Sequence, residues 1–229
     1  MHSDLADLEA IAVMRRYYRW KRDLAAPWLG ARVLEMGCGT GLFLEQLRAP
    51  AVMGIDCDPA CVERARERLR GRAGAEVRVL DALDPATAAL ATFRPDTVVF
   101  TSSIEEMPDD ALAVRHAAAL LPSGGHLIIF AAAMPGLAGE LDKAFEARRY
   151  RKGDLAGLFA GAGLRTLALR YVNLLGALGW WWDSRVVRRS AVSAGTYRAR
   201  DAVVPFARLL DALTGPPVGR SLLGVARKP

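Results

Sequence analysis

The stretch RVLEMGCGTGLFL, residues 32–44, decides the fold of this chain. Its apolar run includes the acidic Glu35, and Gly37, Gly39 and Gly41 follow at alternate positions before apolar residues return. That order predicts a strand, a tight turn and a helix. Glycine is required where the backbone adopts a positive φ or where a ligand lies against the main chain. We therefore expect a nucleotide-like ligand at this turn.

The spacing of the glycines separates one kind of nucleotide site from another. A dinucleotide-binding turn would place a third glycine at Leu42, and a phosphate-binding P-loop would place a lysine after Thr40; neither residue is present. The G-x-G-x-G pattern behind an acidic residue instead resembles motif I of the class I S-adenosylmethionine (SAM)-dependent methyltransferases. This resemblance implies that Glu35 lies near the methionine amino group of SAM and that the glycine loop, with Cys38, passes under the ribose. A glycine-rich turn without a ligand is the alternative.

Acidic residues follow the next two predicted strands. Residues 51–56 form an apolar run that ends at Asp56, about 20 residues after the turn begins, where a ribose-binding carboxylate is expected. Residues 76–80 predict a third strand, which runs into Asp81. The resemblance implies that Asp81 binds the adenine amino group. The neighbours of the two acids are assigned to the same cofactor site: Cys57 and Ala82.

A fourth strand is predicted over residues 96–102, and the segment SIEEMPDD follows it at residues 103–110. Ligands of open α/β sheets bind at the carboxyl ends of the strands. We therefore assign Ser102 to the cofactor site and expect all of these loops to converge on one crevice.

The resemblance to the methyltransferases continues to the C-terminus. LLPSGGHLIIF at residues 120–130 resembles the family's turn into a fifth strand, residues 164–171 resemble a sixth strand, and residues 221–228 an antiparallel seventh. Alternating strand and helix patterns indicate a sheet covered on both faces. The expected fold is α/β: a Rossmann-like, seven-stranded, mostly parallel sheet with an antiparallel last strand, in three α/β/α layers.

Length and composition fit one domain over residues 1–229, of which 52% are hydrophobic. Within it we expect an N-terminal helical cap over residues 1–30 and a substrate-covering insert over residues 172–215. No apolar run reaches the roughly 18 to 20 residues that span a bilayer, and the N-terminus is unlike a signal peptide. We therefore expect a cytoplasmic protein without stable membrane insertion. The three cysteines fit no zinc pattern, so free thiols and no metal are expected.

Basic residues exceed acidic ones by a small margin, 31 to 25, which gives a net charge of +6. The densest basic cluster is RRYYRWKR at residues 15–22, whose aromatics could stack on bases or lie on a membrane. The favoured interpretation is a helix that packs over the cofactor crevice, with its aromatics inward and its arginines in water. Tyr18 is accordingly assigned to the acceptor site, and no nucleic-acid partner is expected.

Two segments resemble motifs of small-molecule methyltransferases but differ from them at a histidine. Glu106 replaces it in SIEEMP, and Glu146 replaces it in FEARRY, where Arg148, Arg149 and Tyr150 remain. Glu106 and Glu146 are the candidate proton acceptors, Arg149 and Tyr150 would position the acceptor, and Arg148 would bind it. Two carboxylates in one crevice favour a cationic acceptor or a shared proton. Two solvent-facing glutamates are the alternative.

The uncharged run YVNLLGALGWWW, which ends at residue 182, is too short to cross a membrane. Large aromatic rings bury much area and bind planar or cationic ligands. We assign Asn173, Trp180 and Trp181 to the acceptor site. Because three consecutive tryptophans cannot all point inward, a homodimer interface and a membrane-surface patch are the alternatives.

The resemblance implies transfer of a methyl group from SAM to an oxygen, nitrogen or carbon atom of a small-molecule acceptor, such as a biosynthetic intermediate. Two other functions stay open at this point. The same fold can use SAM without methylating, in an elimination or a cyclisation, or the chain can be a binding module without catalysis. The presence of Glu35, Asp56 and Asp81 favours an enzyme over a binding module.

Overall fold

A computed structural model describes residues 5–140, 142, 148–188 and 192–229. Within those residues, seven strands form one sheet in the order β3-β2-β1-β4-β5-β7-β6. Every neighbouring pair is parallel except those of β7, which runs antiparallel to both β5 and β6. The predicted sheet, with its antiparallel last strand, is therefore confirmed. The strands are β1 (Arg32–Met36), β2 (Ala51–Asp56), β3 (Ala75–Val79), β4 (Thr97–Thr101), β5 (His126–Ala132), β6 (Arg165–Val172) and β7 (Ser221–Arg227).

Helices precede, connect and follow these strands. They are α1 (Leu5–Ile11), α2 (Arg15–Ala25), α3 (Leu42–Gln46), α4 (Pro59–Arg68), α5 (Asp110–Leu120), α6 (Lys152–Gly161), α7 (Leu174–Trp181) and α8 (Ala194–Thr214). Short 3-10 turns cover Ala26–Trp28, Pro85–Phe93, Ile104–Glu106 and Pro135–Leu137, and a π-helical turn over Trp182–Val187 extends α7. No helix in the described ranges is both long and apolar enough to cross a bilayer.

The sheet is buried on both faces because successive strand residues point to opposite sides. Leu34 and Phe100 belong to one hydrophobic cluster, into which α5 and α6 also pack. Their strand neighbours Val33 and Val99 belong to a second cluster with α3 and α4. Two helical layers therefore enclose the sheet, as the continuous apolar runs of the strands predict.

A third hydrophobic cluster joins elements from the two ends of the chain. Tyr17 and Trp20 of α2 pack there against Trp180 of α7 and Tyr197 of α8. The Asp201 carboxylate of α8 accepts hydrogen bonds from the first backbone N–H groups of α2, at 2.9 Å from Tyr17 N. We call α1, α2, α7 and α8 the cap layer, since residues from all four line the cavity described below or belong to this cluster.

Candidate active site

A cavity of about 300 Å³ lies between the carboxyl ends of the central strands and the cap layer. The parallel strands β1, β2 and β4 end at this edge, so their loops meet there. The cap layer contributes Tyr17, Lys21, Trp180 and Tyr197 to the opposite wall. The sheet therefore positions one side of the cavity and the two ends of the chain position the other.

The glycine turn after β1 forms the floor of the cavity. Gly37 has a φ of +73°, and a Cβ atom there would lie 2.5 Å from the Ser103 Cβ. Gly39 has a φ of +49°, and a Cβ atom there would meet only the side chain of Leu8, at 3.6 Å. The first glycine thus allows close packing against the β4 loop, while the second leaves main chain open to a ligand.

Glu35 lies at the end of β1 with only 2% of its surface exposed. Its Oε2 atom has no hydrogen-bond partner, although the side chain lines the cavity. Burial raises the pKa of this carboxyl group to about 8, against the opposing effects of the nearby Thr101 hydroxyl and the Lys21 ammonium. An unsatisfied buried oxygen of this kind requires a donor, and a cationic donor would satisfy it best.

Two further acids stand at the ends of β2 and β3. Asp56 Oδ2 accepts a hydrogen bond from Gly39 N at 2.7 Å, which ties the end of β2 to the glycine turn. Asp81 Oδ1 accepts one from Leu83 N at 2.8 Å. A carboxylate has about four lone-pair sites, so each group can hold its loop and still accept a ligand hydroxyl or amino group.

Nine of the ten residues assigned to the cofactor lie in the cavity wall. Gly41 does not; it is the N-cap residue of α3, and a Cβ atom there would lie 3.1 Å from the Ala65 Cβ. Its role in the structure is therefore to begin the helix. The nine lining residues are Glu35, Gly37, Cys38, Gly39, Asp56, Cys57, Asp81, Ala82 and Ser102.

Lys21 is a buried cation in the cavity wall that the sequence analysis did not single out. It is 2% exposed, and its Nζ donates a hydrogen bond to Ser102 Oγ at 2.8 Å. The same Nζ lies 5.0 Å from the ring centroid of Tyr17 and 5.2 Å from that of Tyr18. Burial lowers the pKa of Lys21, and the nearby Tyr17 and Glu105 oppose that shift. Tyr18, which the sequence analysis assigns to the acceptor site, also lines the cavity.

Glu105, next to the predicted Glu106, is a buried carboxylate in the cavity wall. It is 6% exposed, its Oε1 accepts a hydrogen bond from Ala132 N at 3.1 Å, and its Oε2 has no partner. Burial raises its pKa to about 7. Glu106 also lines the cavity but is half-buried. Glu146, the other predicted proton acceptor, lies outside the described residues.

Arg149 and Trp180 meet at a buried carboxylate. Arg149 Nε donates to Asp142 Oδ1 at 2.7 Å, and Trp180 Nε1 donates to the other oxygen of Asp142 at 3.1 Å. Arg149 also donates to the backbone oxygen of Ala133. Both Arg149 and Trp180 line the cavity, and the Arg149 charge is already paired with Asp142.

Four other assigned residues are absent from the described cavity wall. The Tyr150 hydroxyl donates to Asp110 Oδ2 at 2.8 Å, and its ring belongs to a sheet core. Arg148 is exposed and pairs with the same Asp110. Asn173 caps α7 by accepting a hydrogen bond from Gly176 N, and Trp181 is 45% exposed. The structure therefore gives these side chains packing, capping or surface positions.

A protein-family model described as a methyltransferase domain matches residues 12–169, which is more than half of the chain. The chain belongs to the SAM-dependent methyltransferases. A ubiquinone biosynthesis O-methyltransferase from Xanthomonas euvesicatoria is 36% identical to this methyltransferase over 103 residues, which cover 44% of this chain and 42% of the relative. A ribosomal protein L11 methyltransferase from Symbiobacterium thermophilum is 33% identical over 110 residues, which cover 46% of this chain and 35% of that relative.

The fold is shared with solved structures over almost the whole chain. One is the complex between the Haloferax volcanii Trm112 methyltransferase activator and a methyltransferase, with a TM-score of 0.68 and 18% identity, covering 98% of this chain and 96% of that chain. The two curated relatives, by contrast, are matched over less than half of their own length. The comparisons therefore show the family and the fold of this methyltransferase.

The cavity floor fits the cofactor of this family. When bound, SAM supplies a methyl group on a positively charged sulfur atom. The unpartnered Oε2 of Glu35 would accept from the amino group of the methionine moiety, and the open main chain at Gly39 would lie against the ribose. Asp56 would accept the ribose hydroxyls, and Asp81 would accept the adenine amino group. The acceptor would then lie on the side of Lys21 and Glu105.

Proposed function

We propose that this methyltransferase transfers the methyl group of SAM to an oxygen, nitrogen or carbon atom of a small-molecule acceptor. The observation that carries the proposal is the enclosed wall of the acceptor side. Tyr17, Trp180 and Tyr197 line the cavity, yet each is no more than 7% exposed. Side chains that cover a site in this way leave room for a small ligand and little access for a folded protein.

The names of the two relatives do not decide the class of acceptor. One of them names a ribosomal protein and the other names ubiquinone biosynthesis. The cap layer of this chain, formed by its N-terminal helices and by α7 and α8, supports the small-molecule alternative. We propose that residues 1–30 and the insert at residues 172–215 act together as the cover of the acceptor within one domain.

Glu105 is our candidate for the proton acceptor of the reaction. Its pKa of about 7 divides it between the acid and the carboxylate at neutral pH, where a general base works best. The ionised Glu105 would accept the proton of an acceptor O–H or N–H as the oxygen or nitrogen bonds to the methyl carbon. The carbon–sulfur bond of SAM would break in the same step, with its electron pair going to the sulfur of the leaving S-adenosylhomocysteine. We propose the half-buried Glu106 as a second carboxylate of the acceptor site. Trp180 and Tyr18 would form walls of that site.

Isotope-labelled SAM and a fractionated cell extract test the proposed function. We expect label in a low-molecular-mass fraction when wild-type protein is present and much less at a limiting SAM concentration with Asp56→Ala, which serves as the control. Label in a protein band would contradict a small-molecule acceptor. A changed small molecule that carries no label would instead indicate a reaction that uses SAM without methylating.

A further inference from the structure

Arg220 places a second cation in the acceptor half of the cavity. It immediately precedes β7, and its backbone is held on both sides: its N–H donates to Asn173 O at 3.1 Å, and its carbonyl accepts from Ala133 N at 2.9 Å. The half-buried side chain lines the cavity, with its Cζ 4.5 Å from the ring centroid of Trp180. The main chain and the tryptophan ring therefore fix where this guanidinium group lies.

The guanidinium group of Arg220 has no counter-ion among the residues that the structure describes. None of the ion pairs and side-chain hydrogen bonds found there involves it. Arg149 lies over the same Trp180 ring, at 5.1 Å, but pairs with Asp142, and Arg200 pairs with Asp183. Arginine carries five N–H donors in a fixed arrangement, so an unpaired one at a ligand cavity is a ready-made anion site.

The charges around Arg220 also favour an anionic ligand. Lys21, the other unpaired cation of the acceptor side, bonds only to a neutral hydroxyl group, Ser102 Oγ, in the described part of the chain. The charge of Arg220 contributes to lowering the pKa of Lys21, Arg149 and Arg200, in each case after burial. Two buried acids line the same cavity as these cations, Asp142 and Glu105. Asp142 is already paired with Arg149, and Glu105, with a pKa of about 7, balances only part of the remaining charge at neutral pH.

We propose that the methyl acceptor carries a carboxylate group, which binds to the guanidinium group of Arg220 through two parallel hydrogen bonds. This inference rests on the proposed function and names the class of its substrate. A carboxylate matches the single unpaired guanidinium in charge and shape, whereas a phosphate group carries about −1.5 to −2 and requires more donors. The sequence alone favoured a cationic acceptor through Glu106 and Glu146; the structure adds Arg220 and Lys21 to that side.

Binding of small aromatic probes tests this inference without any methyl transfer. We would measure the affinities of benzoate, benzamide, benzylamine and inorganic phosphate by ligand-observed NMR, with the protein saturated with S-adenosylhomocysteine. Benzoate should bind most tightly to the wild type. Arg220→Gln should weaken benzoate binding by about 10- to 100-fold, because a charge-assisted hydrogen-bonded pair is lost. Arg170→Gln, which removes an equal charge from the exposed surface of β6, should leave the affinity unchanged.

Affinity for S-adenosylhomocysteine and circular dichroism would show that each variant is folded. If Arg220→Gln does not fold, the relative affinities of the four probes for the wild type still test whether the site prefers a carboxylate. Tighter binding of benzylamine or benzamide than of benzoate, or no measurable benzoate binding, would overturn the inference. An unchanged benzoate affinity in folded Arg220→Gln would also overturn it. Tighter binding of inorganic phosphate than of benzoate would overturn the carboxylate and indicate an acceptor with a phosphate group.

The labelling experiment distinguishes failure of this inference from failure of the proposed function. Label in a small molecule that has no acidic group would refute the carboxylate site and leave the function standing. Benzoate binding that depends on Arg220, together with no labelled small molecule, would support the anion site and refute the function.

Discussion

Glu35→Gln is expected to change stability and cofactor binding in opposite directions. In the absence of a ligand, the buried Glu35 carboxyl has a pKa of about 8, compared with an ordinary value of 4.5. Ionisation is therefore easier in the unfolded chain, and the folded protein loses stability as the pH rises from about 4.5 to about 8. At pH 7 this difference in pKa lowers the free energy of unfolding of the wild type by about 3 kcal/mol. A glutamine of the same shape does not ionise and therefore avoids this loss.

The expected gain in melting temperature follows from that free energy. For a chain of this length, about 3 kcal/mol corresponds to roughly 6 to 12 °C at pH 7, and the difference should shrink to nothing near pH 4.5. Binding should change the other way, because the glutamine offers the SAM amino group no charge. We expect affinity for SAM to fall by about 10- to 100-fold.

Differential scanning calorimetry between pH 5 and 8 and isothermal titration with SAM would measure both effects. Glu63→Gln, which removes an exposed carboxylate on α4, is the matched control and should follow the wild type in both assays. A Glu35→Gln variant that melts below the wild type at pH 8 would refute the burial argument. Equal SAM affinity would refute the assignment of Glu35 to the amino group.

Three further substitutions test the rest of the site. Asp56→Ala should weaken SAM binding by about 1.5 to 3 kcal/mol through loss of charge-assisted hydrogen bonds; unchanged affinity in calorimetry would remove Asp56 from the ribose site. Gly39→Val should abolish SAM binding while circular dichroism still shows an ordered protein, since a β-branched residue resists a φ of +49° and its side chain would point into open cavity. Glu105→Gln should lower turnover by about 100- to 10,000-fold with SAM affinity retained. In the wild type, kcat/KM should rise with pH through about 7 as Glu105 loses its proton, and the variant should lack that rise.

Local sequence patterns predict the sheet, the glycine turn and the acids at the strand ends. Each of these features depends on a local pattern: apolar runs bounded by turn residues, glycines at fixed spacing, and carboxylates directly after strands. Because parallel strands end at one edge of a sheet, the sequence alone predicts that Glu35, Asp56 and Asp81 lie close together. The structure places all three in the cavity wall.

Packing between elements far apart in the chain places the side chains that line the cavity beside Lys21 and Glu105. The basic run at residues 15–22 predicts a helix with its aromatics inward and its arginines in water, and it says nothing of Lys21. Lys21 is buried because α2 packs against α8 and against the strand ends, where its Nζ bonds to Ser102 Oγ. The 3-10 turn after β4 buries Glu105 more deeply than Glu106, a difference of one residue that no periodicity specifies. Tyr150 and Arg148 turn toward Asp110 instead, outside the cavity wall.

Pairing between distant residues decided the remaining charges. The family resemblance assigns a positioning role to Arg149 and none to Arg220, which directly precedes β7. No local pattern in the sequence indicates which of the two arginines is paired. Asp142 neutralises the first, while no described carboxylate reaches the second. A charge pair depends on the distance between side chains that the chain brings together only when the sheet and the cap layer have closed on each other. For that reason the fold and the cofactor site follow from local sequence, whereas the chemistry of the acceptor site follows from packing.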